Sequence, residues 1–294
     1  MDKLFVIGLV SAFLLLFVSR VTNGATMSSC SQTPYPEICT SFISSTSLVS
    51  SKGLHGVALS ATLNQAQLAH GLILATDLSS FDEPAKVAWT DCAELYADSV
   101  SQLNRALLSN NWEDTQTWLS AAVANHQTCQ DGFIELNSAS YMSFLPPMLG
   151  NFSKLLSNSL AINNQAASTL SSSKPGGGRK LLSDGFPSWV STADRKLLQS
   201  STAAAQANLV VAADGSGNYT TISQALSAAS NHGTSRFVIY VKSGTYYERI
   251  QISQTKIMLI GDGIDATIVT GSNNVVDGST TFSSATAGKL SFLI

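Results

Sequence analysis

The apolar residues change period partway along this chain, and a change of period means a change of architecture. From about Lys52 to Ala167 they recur three and four apart. Trp89, Cys92, Tyr96, Val100, Leu103 and Leu107 fall on one stripe, and Trp118, Ala122, Cys129 and Phe133 on another, as on amphipathic helices. Asp82 before Pro84, and Asn111 before the acidic pair Glu113 and Asp114, mark helix starts. Pro146 and Pro147 interrupt the pattern before a last helix beginning near Met148. Four helices with short connections predict an up-and-down bundle. After about Thr202 the runs NLVVAAD, RFVIYVK, KIMLIGD and ATIVTGS are short, β-branched and divided by Gly, Asp and Asn. They are nearly continuous in Val and Ile, as expected of strands covered on both faces or stacked in a solenoid. One helical stretch, residues 222–229, separates the first two runs.

Between the two patterns, residues 173–203 are rich in Ser, Gly, Pro and basic side chains, which predicts a linker. It spells Arg-Lys-Leu-Leu twice, at Arg179, Lys180 and Leu182 and again at Arg195, Lys196 and Leu198. A nucleic-acid patch is excluded as an explanation. The net charge is −3 and these tetrapeptides are too short to track a phosphate backbone.

The first residues, Met-Asp-Lys and then an apolar run from Leu4 to Val18, read as a secretory signal peptide over residues 1–24. The run falls short of the roughly 20 residues of a membrane span, so no stable membrane span is expected. In an oxidising compartment the four cysteines, Cys30, Cys39, Cys92 and Cys129, are expected to form two disulfides. Three pairings are possible, and spacing alone does not choose among them. No Cys/His spacing suits zinc. The sequons at Asn151 and Asn218 fit a glycosylated product.

Other motifs lose to simpler readings. GDGIDA, residues 261–266, has the spacing of a dinucleotide fingerprint, but TIVTGS after it reads as a strand where that fingerprint needs a helix. Asp262, Asp265 and Asp277 all lie near Gly and read as turn residues. His55, His70, His126 and His232 are assigned no catalytic role, because no Ser or Cys nucleophile sits in a recognisable elbow.

The residues singled out resemble one plant cell-wall family, the pectinesterases made as precursors with an N-terminal inhibitor-like domain. CSQTPYPEIC, DCAELYADSVSQL and SAAVANHQTCQDGF resemble the cysteine-bearing segments of that domain, placed here at residues 25–172. The resemblance implies the pairs Cys30–Cys39 and Cys92–Cys129. It also identifies the doubled tetrapeptide as two cutting sites for a subtilisin-like processing protease, the main one just after Leu198, in an exposed and flexible setting. NLVVAADGSGNYTTISQAL and YVKSGTYYERI resemble the opening of the pectinesterase right-handed parallel β-helix, placed at residues 204–294. Gly244, Tyr246 and Glu248 match the family's G-x-Y-x-E signature, with Tyr246 and Glu248 expected to be structural. DGSTTFSSAT extends the likeness, and Thr281 is implied to lie in the groove that binds the pectin chain.

The resemblance implies hydrolysis of methyl esters in homogalacturonan, in the cell wall, without metal or organic cofactor. One aspartate attacks the ester carbonyl, a second serves as acid and then base, and glutamines stabilise the oxyanion. The family motifs that carry those groups, Q-A-V-A-L, Q-D-T-L, D-F-I-F-G and L-G-R-P-W, do not occur in these 294 residues. The likeness stops at Thr286, where the family continues into further coils. No catalytic residue is therefore assigned, and this chain is expected to be a truncated form that does not catalyse the reaction. The alternative expectation is a binding protein whose helical bundle inhibits a pectinesterase.

Overall fold

The computed structural model describes residues 30–44, 49–147, 149–171, 191–198, 206–229 and 236–289. The expected signal peptide and the upstream cutting site at Arg179, Lys180 and Leu182 lie outside them. The protein divides into two compact units: Met1–Thr76 with Gln102–Gln127 and Ser143–Ser172, and Asp77–Ser101 with Thr128–Met142 and Ser173–Ile294. The helical elements are α1 (Pro36–Ser44), α2 (Val49–Ala75), α3 (Glu83–Leu108), α4 (Trp112–Glu135) and α5 (Leu149–Ser171), with a 3-10 turn over Ala139–Phe144. Their starts obey the sequence. Asp82 Oδ1 accepts from the amide of Ala85 at 2.9 Å, and Asn111 Oδ1 from that of Glu113 at 3.0 Å, so each satisfies a first-turn donor. Two helical segments of α2 join at Gly53, whose φ of 63° only glycine adopts freely.

In the first unit α2 packs along α5, and α1 leans on both. Leu59, Ile73, Phe152 and Leu156 are buried at that core. Polar side chains inside it are paired. Thr62 and Ser159 hydroxyls meet at 2.9 Å, and Asn163 joins His55 to Gln116 and the carbonyl of Trp112. Asn158 takes both the amide and the carbonyl of Tyr35, tying the loop closed by Cys30–Cys39 to α5.

The buried face of α4 corrects the expected stripe. Thr115, Leu119, Ala122, His126, Cys129, Gly132 and Phe133 are the buried positions, while Trp118 is only half-buried. His126 lies edge-on to Phe152, with ring centroids 5.7 Å apart.

In the second unit Trp89 stands edge-on to Phe81 and Phe133, at 5.2 and 6.0 Å, beside the Cys92–Cys129 disulfide. Both disulfides have the pairing the resemblance implied. The remainder of this unit is a helix α6 (Thr192–Leu198) and then β1 (Leu209–Val211), α7 (Ile222–Ala228), β2 (Phe237–Val241), β3 (Gly244–Tyr247), β4 (Ile250–Ile252), β5 (Ile257–Gly261), β6 (Thr267–Thr270) and β7 (Ala287–Lys289). All pairings are parallel: β1–β2–β5, β3–β6 and β4–β7. Ile239 stands opposite Leu259, Tyr246 opposite Val269 and Gln251 opposite Gly288. One coil, β2–β3–β4, is thus stacked strand for strand on the next, β5–β6–β7, which is the repeat of a parallel β-helix. An inhibitor-like helical bundle followed by the opening of a parallel β-helix is the fold class.

The coil interior holds Val211, Ile222, Leu226, Ile239, Val241, Tyr246 and Ile250. The alternate residues of β2 and β5 are not left bare. Val238 and Ile260 form a second cluster with Leu197, Ala207, Tyr240 and Met258. Burial on both faces is why FVIYV reads as an unbroken apolar run.

Candidate functional site

The loop between β6 and β7, residues 271–286, carries Thr281. Asn274 caps a 3-10 turn, Val275–Asp277, by accepting from the amide of Val276 at 2.8 Å, and Gly278 ends it at φ 85°. Further along the loop, Thr280 and Thr281 face carboxylates in the same unit. Thr280 is buried, donates its hydroxyl to Asp91 and lies 3.0 Å from the hydroxyl of Ser283. Its methyl sits over Gly132, where an added Cβ would come within 3.3 Å of it. Thr281 is exposed and doubly held, its amide donating to Glu135 Oε2 at 2.7 Å and its hydroxyl to Oε1 at 2.8 Å. Burial pushes the Asp91 carboxyl above the usual carboxylate range, and the hydrogen bond from Thr280 pulls it partly back. Asp91 and Glu135 were not singled out from the sequence. Asp91 had one available signal, its place beside Cys92 on a buried helix face.

The signature residues occupy the corner between β3 and β4. Gly244 starts β3 at φ 152°, a conformation that disfavours side chains, and its amide donates to the carbonyl of Ala266 in the neighbouring coil. Tyr246 is buried and its hydroxyl donates to the carbonyl of Lys242 at 2.9 Å. Glu248 is half-buried and accepts from the amides of Ile222 and Ser223 at 2.7 and 2.9 Å, and from the Ser223 hydroxyl at 2.6 Å. One carboxylate thereby satisfies the open first turn of α7 from a residue two strands later. Beside this corner a cleft of about 350 Å³ is lined by Tyr247, Glu248, Arg249, Thr270, Asn273 and Thr286. Arg249 is its cation and Glu248 its carboxylate, among hydroxyl and amide groups.

The other sequence candidates lie elsewhere. Arg195, Lys196 and Leu198 are on α6, a short helix inside the expected linker, with Lys196 and Leu198 exposed. Leu197 packs on Val238 and Ile260, which supports the helix. Asn151 is exposed in the first turn of α5, and Asn218 is exposed with its Oδ1 accepting from the amide of Val210. GDGIDA is a turn between β5 and β6. There Asp262 accepts from the Tyr240 hydroxyl and the amide of Ser243, which together with nearby groups hold its carboxyl below the usual range, the Tyr240 bond most of all. Asp265 adopts φ 64° and Asp277 accepts from Asn274, so all three aspartates serve turns. Among the described residues no group of three His, Cys, Asp or Glu side chains could hold a metal ion, and no helix is long and apolar enough to cross a membrane.

Residues 25–162 match the family described as plant invertase/pectin methylesterase inhibitor, and residues 208–291 the family described as pectinesterase. The probable pectinesterase/pectinesterase inhibitor 17 of Arabidopsis thaliana is 44% identical over 264 residues, covering 87% of this chain and 49% of that protein. The probable pectinesterase/pectinesterase inhibitor 6 of the same plant is 40% identical over 302 residues, covering 90% and 54%. A solved pectin methylesterase from carrot matches 28% of this chain and 26% of its own at 52% identity and a TM-score of 0.26. The chain spans about half the length of the curated relatives it matches. With both regions present in one chain, and with relatives that match along nearly all of it, this protein belongs to the pectinesterase family, in the branch with an N-terminal inhibitor-like region.

Proposed function

We propose that this chain is the front part of a secreted pectinesterase precursor, delivered through a signal peptide over residues 1–24 to the cell wall and glycosylated at Asn151 and Asn218. Residues 25–172 are its inhibitor-like region, 173–203 its processing linker and 204–294 the first coils of its enzyme. The reaction is hydrolysis of methyl esters of homogalacturonan to carboxylates and methanol. The observation that carries the reading is the pair of stacked parallel coils within the segment that matches a pectinesterase, with the Thr281 loop standing out from them. The cleft beside that corner supports it. Arg249 stands there among hydroxyls and amides, and the one carboxylate of the lining, Glu248, is engaged on the first turn of α7, an arrangement that suits a polyuronate whose carboxylates are partly esterified.

The attacking and proton-transferring aspartates and the glutamine donors of the family are not among these 294 residues. Without a nucleophile and oxyanion donors, rates fall by orders of magnitude, so residues 1–294 by themselves are inactive. The test is a chimera in which residues 1–289 are joined in frame to the remaining half of the Arabidopsis relative 17. It is expected to release methanol from methylated pectin after processing, with Thr281→Ala weakening kcat/KM. A folded, processed chimera with no methanol release would refute the assignment.

A second reading concerns the helical region as an inhibitor. Glu135 holds both donors of Thr281, the residue assigned to the substrate groove. While that contact lasts, Thr281 has no free donor for a sugar. In this reading the helical region restrains the enzyme until it is cut away. Addition of purified residues 25–172 to the active chimera should lower methanol release; unchanged release at excess would count against it.

A further inference from the structure

The main cutting site is folded, and it is folded against the enzyme region. Arg195, Lys196, Leu197 and Leu198 form the second half of α6. A helix of seven residues is marginal in water by itself, so its persistence calls for outside support, and three contacts supply it. Ser191 Oγ accepts from the amide of Asp194 at 3.1 Å, capping the first turn. Arg236, just before β2, holds Asp194 at 2.7 Å, and the Asp194 side chain is only 13% exposed. Leu197 is half-buried on the cluster around Val238 and Ile260.

A protease of the subtilisin class reads the residues before the scissile bond as an added strand, through their backbone amides and carbonyls. A strand advances about 3.3 Å per residue and a helix about 1.5 Å. The tetrapeptide in α6 is therefore too short, and has its backbone groups turned along the helix axis. Its Leu197 is occupied as well.

Resting on the reading of Leu198 as the main processing site, we propose that α6 is a latch: its docking on β2 and β5 holds Arg195, Lys196, Leu197 and Leu198 in helical form, and cutting requires the helix to peel away. Water then adds across the Leu198–Gln199 amide, leaving a carboxylate on Leu198 and an amine on Gln199. The latch grips only once β2 and β5 have paired, so a chain whose enzyme region has not formed its coils is the readier substrate. Processing thereby becomes sensitive to the folding of the domain it releases.

The experiment treats the full chain with a purified plant subtilisin-like protease that cuts after Arg-Lys-Leu-Leu, with cleavage at Leu182 and Leu198 followed separately by mass spectrometry. A synthetic peptide of residues 191–202 is cut in parallel. The peptide should be cut after Leu198 at least about tenfold faster than the folded chain. Arg236→Ala and Ser191→Ala both lie outside the tetrapeptide. Each should raise the rate at Leu198 about two- to fivefold and leave that at Leu182 unchanged, with circular dichroism showing the helical content retained. A chain cut as fast as the peptide, or variants cut no faster than the parent, would overturn the latch alone. A peptide left uncut after Leu198 would overturn the processing site itself, and the latch with it.

Discussion

Glu248 is the signature residue whose work can be put in numbers. Replacing it with alanine removes the acceptor for two backbone amides and one hydroxyl at the start of α7. Ile222 is 1% exposed, so its amide would be left without water or a partner. A buried donor orphaned in this way costs about 1–3 kcal/mol. Ser223 is half-buried and can rehydrate, losing about 1 kcal/mol. The Thr221 hydroxyl still holds the amide of Gln224, at 3.3 Å, so the cap is weakened rather than abolished. The sum is about 2–4 kcal/mol against α7, which raises its opening equilibrium by about 30- to 700-fold. Amide hydrogen exchange followed by mass spectrometry over residues 221–229 reads this directly. Glu248→Gln keeps one acceptor oxygen and should fall between parent and alanine variant. Exchange in Glu248→Ala within about twofold of the parent would refute the capping argument.

Three other predictions follow from particular contacts. The Cys92–Cys129 bridge closes a 37-residue separation and the Cys30–Cys39 bridge one of 9, so their removal should cost about 4 and about 2.5 kcal/mol respectively in the chain-entropy account, read as urea midpoints of the serine variants. Burial holds His126 and His55 below the ordinary histidine value of 6.5. The unfolded chain therefore binds more protons below that pH, stability falls as pH drops from 7.5 to 5.5, and the fall should shrink in His126→Gln. In the uncut chimera, Glu135→Ala should raise methanol release several-fold by freeing Thr281, and the same change after processing should have no effect.

Much of the fold was legible because periodicity and caps report it. Asp82 and Asn111 start helices where the sequence places them, and the four apolar runs after Thr202 contain β1, β2, β5 and β6. What escaped the reading was carried by residues whose burial contradicts their type. Thr115 and His126 belong to the buried face of α4, whereas a stripe drawn through apolar residues alone runs through Trp118. The strands β3, β4 and β7 are three or four residues long and contain Gly, Thr, Gln or Lys, too little pattern for period-two reading. Helix α6, inside the expected linker, escaped for a different reason. TADRKLL looks like a processing motif in a polar stretch, and only the apolar outer face of β2 and β5 gives Leu197 a place to dock.

The candidate site was legible in part. Thr281, Gly244, Tyr246 and Glu248 came from resemblance, whereas Asp91 and Glu135 meet Thr280 and Thr281 across 189 and 146 residues of sequence, and no local pattern encodes such a meeting.

The central claim is that these residues are the front of a pectinesterase and do not contain its chemistry. Steady-state methanol release from highly methylated pectin tests it most directly, with residues 1–294 and the processed chimera measured side by side. The account predicts release by the chimera and none above blank by residues 1–294. Sustained release by residues 1–294 would contradict it, because hydrolysis would then have to run on groups within this chain.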